Sequence, residues 1–194
     1  MGGAVIGAEF FLSGCKPKGA SSVDDLFAQN NTDFLNEVAD TILPTTSSPG
    51  AKAANVGGFM AVMVRDCYTP ADQQTFIDGM SKLNDAAGKK FSSKFMDLTP
   101  QQRTDLLIDL DKEQKAFTAD RDKQLAADAL KHKGEANYKG PELPNHYFRM
   151  MKQLTLLGYF TSEVGATKAL RYIAIPGRYD GCVPYKKGDK AWAT

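Results

Sequence analysis

The chain has 194 residues, with 24 Lys and Arg against 23 Asp and Glu, for a net charge of +1. That balance excludes a nucleic-acid binder built on a basic patch and an acidic disordered chain, while the length suits a single domain with a real core. Three cysteines, Cys15, Cys67 and Cys182, stand too far apart for a C-x-x-C zinc, thiol-exchange or iron–sulfur arrangement.

The first stretch, through Leu12-Ser13-Gly14-Cys15, is apolar, glycine-rich and too short to span a bilayer. An aliphatic residue, two small residues and a cysteine have the form of a bacterial lipobox. In that reading residues 1–14 are a truncated lipoprotein signal remnant, Cys15 is lipidated, and 15–31 is the lipidated cysteine with a polar tether. Residues 32–194 form the folded domain. The alternative is a buried core segment with an incidental cysteine.

Val23–Asn30 reads as a short first helix. Thr32–Leu43 reads as a better one, with Phe34, Leu35, Val38, Ile42 and Leu43 at helical spacing and Pro44 as its stop. Val56–Tyr68 is the most apolar candidate and is expected to be central. Thr69-Pro70 and Thr99-Pro100 each place a capping hydroxyl before a proline at the first helical position. Phe76, Ile77, Met80 and Leu83 follow the first cap; Leu106, Leu107 and Leu110 follow the second. Asp111–Lys139 is charged and lysine-rich, and reads as a solvated helix followed by a mobile loop. Asn145 is expected to cap a helix with Tyr147, Met151 and Leu154 on one face and Phe148 and Leu157 beside it, which Gly158 breaks. Thr161 or Ser162 then caps a short helix with Glu163 in its first turn. Strand-like alternation is nearly absent. The expected fold is all-α: a single-domain bundle of five to seven helices with an irregular C-terminal segment.

Catalytic constellations are missing from the sequence. His132 and His146 have no H-x-x-x-H partner, and His132 reads as a solvated surface residue. There is no G-x-S-x-G elbow and no G-x-G-x-x-G after a strand. Expected catalytic, cofactor-binding and metal residues are therefore none. Cys67 ends an apolar helix and reads as a small buried hydrophobe. Ile175 to Cys182 is a turn-rich run that cannot be core helix. Its Arg178 and Tyr179 are residue types enriched at interface hot spots. It is either a partner interface or a cover over the bundle.

Lys152–Gly165, with its Gln-Leu-Thr-Leu-Leu-Gly-Tyr-Phe-Thr-Ser-Glu-Val core, followed by Ile175-Pro176-Gly177-Arg178-Tyr179-Asp180-Gly181-Cys182, resembles the gluconate 2-dehydrogenase subunit 3 family. The Ile42-Leu43-Pro44 stop and the Pro49-Gly50-Ala51 that follows it extend the likeness. The resemblance implies a small accessory subunit without its own cofactor. Its partners would be a large flavin-dependent dehydrogenase holding FAD and a cytochrome c subunit holding haem c, and it would support assembly and export of the flavin subunit. The family commonly carries a twin-arginine signal, which is not visible here. With the lipobox, the expectation is a periplasmic, membrane-anchored lipoprotein of a Gram-negative bacterium. Tyr159, Phe160, Glu163, Arg178, Tyr179, Asp180 and Cys182 are the expected partner interface. Two other readings stand beside this one. The first is a free-standing sugar-acid enzyme using Glu163, Arg178 and Asp180. The second is a lipid-anchored binding or structural protein without a redox partner.

Overall fold

The computed structural model describes residues 20–175, 177–178 and 181–193. Among them are five α-helices and no strand: α1 (Gln29–Ile42), α2 (Val56–Cys67), α3 (Pro70–Phe91), α4 (Pro100–Lys131) and α5 (Tyr147–Phe160). The all-α expectation holds. Short 3-10 turns at Asp24–Phe27, Ala51–Ala54 and Phe95–Asp97 join them, and a π-helical turn, Gly165–Ala169, follows α5.

The chain packs onto the core before residue 32. Leu26 is fully buried and α1 begins at Gln29. The expected helix over 23–30 is only a 3-10 turn, because Asp25 turns its carboxylate back to accept from the Ser21 amide and hydroxyl and the Ser22 amide at 2.8, 2.7 and 2.9 Å. These donors, the Ser21 hydroxyl foremost, lower the Asp25 pKa to about 2.

Two of the helix starts follow from local chemistry. Thr69 accepts from the Asp72 amide at 3.3 Å. Thr99 forms a reciprocal capping box with Gln102, its hydroxyl accepting from the Gln102 amide while the Gln102 side chain accepts from the Thr99 amide. From there α4 runs 32 residues without a break, about 48 Å of helix. Its buried side chains end at Gln114; beyond it the helix is charged and largely solvated, held to the segment before α5 by Phe117, edge-on to the His146 ring at 5.4 Å, and by Arg121, which donates to Asn145. The segment after α4 folds back: Tyr138 donates to the Asp128 carboxylate and stacks on His132 with ring centroids 3.8 Å apart. His132 is thus half-buried and paired with Glu135, not simply solvated.

The central helix is α5, not α2. It packs against all four other helices, and Met151 and Thr155 on it are fully buried. Small residues set the spacing. A Cβ on Gly79 would stand 2.4 Å from Cβ of Tyr147, so α3 and α5 meet backbone to side chain. A Cβ on Gly57 would meet the Thr32 carbonyl at 2.5 Å, where α2 crosses α1; the Gly57 amide there donates to Asn36 Oδ1 at 2.7 Å. A charged clamp closes α1 on α4, with Arg103 13% and Glu37 17% exposed and ion-paired. The same guanidinium donates to the Phe95 and Met96 carbonyls.

The cap of α5 is His146, not Asn145. Its Nδ1 accepts from the Phe148 amide at 3.2 Å, and its Nε2 lies 3.3 Å from the Glu113 carboxylate. Asn145 is engaged elsewhere, accepting from Arg121 and donating to Asp72. Beside it Tyr147 is buried, and that burial raises its phenol pKa above the usual 10.0.

Candidate partner surface

One face of α5 closes the core with Phe148, Met151, Leu154 and Tyr159, while Leu156, Leu157 and Phe160 stay exposed. Gly158 does not break this helix. It lies inside it, where a Cβ would stand 2.5 Å from the Phe59 ring, so glycine serves the close approach of α2 to α5.

The helix ends in a hydroxyl-built reversal. Thr161 Oγ1 donates to the Leu157 carbonyl at 2.7 Å. Ser162 Oγ donates to the Tyr159 carbonyl at 2.6 Å and accepts from the Gly165 amide at 3.0 Å, which is N-cap geometry for the short helix expected there. That helix widens into the π turn Gly165–Ala169.

Beyond the turn the chain runs out and returns. The Arg171 amide donates to the Ala191 carbonyl at 2.7 Å, and the Ala193 amide donates to the Arg171 carbonyl at 2.8 Å. These bonds make a single parallel bridge between Arg171 and Trp192, with the Arg171 guanidinium 4.7 Å from the indole centroid. The Lys190 ammonium donates to the Lys168 carbonyl, a second tie between the same two arms. A tight turn shapes the return arm: Asp189 accepts from the Lys186 amide at 2.9 Å, and Gly188 between them has φ +97°, a left-handed conformation that suits glycine. The closed loop carries a cleft of about 480 Å³ lined by Arg171, Val183, Tyr185, Asp189, Lys190 and Trp192.

The expected interface residues fall into three groups. Phe160, Glu163, Arg178 and Cys182 are exposed. Tyr159 is buried instead; its hydroxyl donates to the Pro49 carbonyl and its ring meets Phe160 edge-on at 5.1 Å, so it supports the surface from beneath. Tyr179, Asp180 and the lipobox with Cys15 lie outside the described residues. The sequence reading passed over Leu156, Tyr172 and Ile173, and it set Leu157 beside the apolar face of its helix, where the structure leaves it exposed. For Leu156 and Leu157 the signal was available in the helical register of α5, where 156, 157 and 160 fall away from the buried 151–154–158 stripe. Cys67, expected to be buried, is exposed and free, as is Cys182. The last turn of α2 leaves the core after Val64, and the thiol lies 4.0 Å from the Met63 sulfur. Among the described residues no group of His, Cys, Asp and Glu could hold a metal ion.

A cluster of charges sits elsewhere, where α4 meets α5. Asp111 is 19% exposed and pairs with Lys115 at 2.7 Å and Lys152 at 2.5 Å. Lys115 first and Lys152 second bring its pKa down to about 2. Every charge there has its partner, and the cluster fastens α5 to α4.

A family model described as gluconate 2-dehydrogenase subunit 3 matches residues 29–177, well over half of the chain. No curated protein and no solved structure matches. The matched span begins at the first residue of α1 and ends within the loop after α5.

Proposed function

The chain belongs to the gluconate 2-dehydrogenase subunit 3 family, and from that premise we propose that it is the accessory small subunit of a membrane-associated sugar-acid dehydrogenase complex. In this reading a large flavin-dependent subunit holds FAD and performs the oxidation, and a cytochrome c subunit holds haem c and carries the electrons away. This chain holds neither cofactor; it assists assembly and export of the flavin subunit, in the periplasm, anchored through acylated Cys15.

The observation that carries the reading is the end of α5. Leu156, Leu157 and Phe160 remain exposed after the bundle has closed its core, and Glu163, Arg178 and Cys182 are exposed in the segment that follows. Apolar centres with an arginine beside them are the composition of contact surfaces between subunits. Tyr159, pinned beneath by its bond to Pro49, gives that surface a rigid base.

Co-expression with a flavin-dependent large subunit of such a complex tests the reading. A flavin absorbance band should co-elute with this chain on gel filtration, and this chain alone should be colourless. A flavoprotein that folds, exports and elutes independently would contradict it.

A further inference from the structure

Among the described residues, the large apolar side chains left in solvent are concentrated late in the chain. Beyond α5, Tyr172, Ile173, Ile175, Val183, Tyr185 and Trp192 are all exposed, Ile175 at 84% and Tyr185 at 76%. The charge is concentrated there too. From residue 164 onward the chain carries Lys168, Arg171, Arg178, Lys186, Lys187 and Lys190 against Asp180 and Asp189. That is a net +4, which leaves −3 for the remainder of a chain whose total is +1. The bridge between Arg171 and Trp192 brings the two kinds of side chain together, since Val183, Tyr185 and Trp192 share one cleft with Arg171 and Lys190.

We propose that this C-terminal loop is a second membrane contact, seating its aromatic and aliphatic side chains at the interface of an anionic phospholipid bilayer while its lysines meet the headgroup phosphates. Three observations favour lipid over a protein partner as the occupant. The cations are mostly lysine, a residue depleted at protein–protein interfaces, whereas an anionic leaflet attracts Lys and Arg alike. The apolar groups are Tyr, Trp and aliphatics, and Tyr and Trp settle where hydrocarbon meets water. They also stand on an irregular loop tied at its two ends, and a fluid interface demands no fixed complementary shape. No helix of the described chain is long and apolar enough to cross a membrane, so the contact is peripheral. It is separate from the anchor at Cys15 and does not rest on the assignment of a flavin partner.

Trp192 is the chain's single tryptophan, so its fluorescence reports the loop directly. The full chain is made with Cys15→Ser, so that no acyl group contributes. It is mixed with phosphatidylcholine vesicles, with or without phosphatidylglycerol. Co-sedimentation and a blue shift of Trp192 are expected only with phosphatidylglycerol, both weakening as salt rises. Lys186→Gln with Lys187→Gln should weaken binding by roughly thirtyfold, and Tyr185→Ser should weaken it while keeping the salt dependence. Both variants leave the Arg171–Trp192 closure in place, and circular dichroism and melting should match the parent. Failure to bind anionic vesicles, or binding to neutral vesicles as strong, would overturn the proposal. So would a Trp192 shift produced by purified flavoprotein and not by lipid, which would make the loop a protein interface.

Discussion

Gly165 lies directly under the carbonyl of Tyr159: a Cβ at 165 would stand 1.9 Å from that oxygen. The contact exists because Ser162 bonds both the Tyr159 carbonyl and the Gly165 amide, folding the chain back onto the end of α5. No rotamer relieves a clash between a Cβ and a backbone oxygen. Gly165→Ala should therefore open the reversal, costing roughly 1–3 kcal/mol, and should displace everything C-terminal to it. Urea unfolding with limited proteolysis checks this: cleavage should appear after α5 while far-ultraviolet circular dichroism stays helical. An unchanged midpoint and an uncut chain would show that the turn does not depend on glycine.

Asp111 carries the acid sensitivity of the α4–α5 junction. Its folded pKa is about 2, below the usual 3.8, because of Lys115 and then Lys152. A depressed carboxylate contributes stability that is fully present above its unfolded value and is lost as the pH falls through the folded one. The loss therefore belongs between about pH 4 and pH 2. Thermal melts of wild type and Asp111→Asn across that window should converge as the pH falls and differ most near neutrality. A constant gap at every pH would mean that Asp111 acts by packing and not by charge.

The elements that were legible in the sequence are those fixed by neighbours. Pro44, Thr69-Pro70 and Thr99-Pro100 each mark a helix end through local backbone chemistry, and each does so in the structure. Gly158 was misread because a glycine in a helix has two meanings, a break or a close approach, and only Phe59 from another helix decides between them. Asn145 is a better capping residue by type than His146, yet Arg121 and Asp72 from two other helices take its amide. α5 is no more apolar in pattern than α2, and its central place comes from packing against all four other helices. In the candidate surface, Phe160 and Arg178 were legible by type. The closure of Arg171 on Trp192 was not, because one isolated bridge leaves no periodic trace.

The lipobox makes a separate prediction. With an intact signal, the protein should incorporate labelled fatty acid and partition into detergent, and Cys15→Ser should abolish both. Each buried methylene adds about 0.8 kcal/mol of membrane affinity, so several acyl chains hold firmly. A wild-type protein that stays unlabelled and water-soluble would remove the lipoprotein reading.

The most direct test of the subunit role is capture of the flavin subunit by wild type and by Phe160→Ala combined with Arg178→Ala, with a thermal melt of each. Both side chains are exposed, so the melting temperature should barely move. Capture should fall by roughly tenfold or more, the loss typical of interface hot spots. Equal capture by wild type and variant would contradict a docking surface at the end of α5.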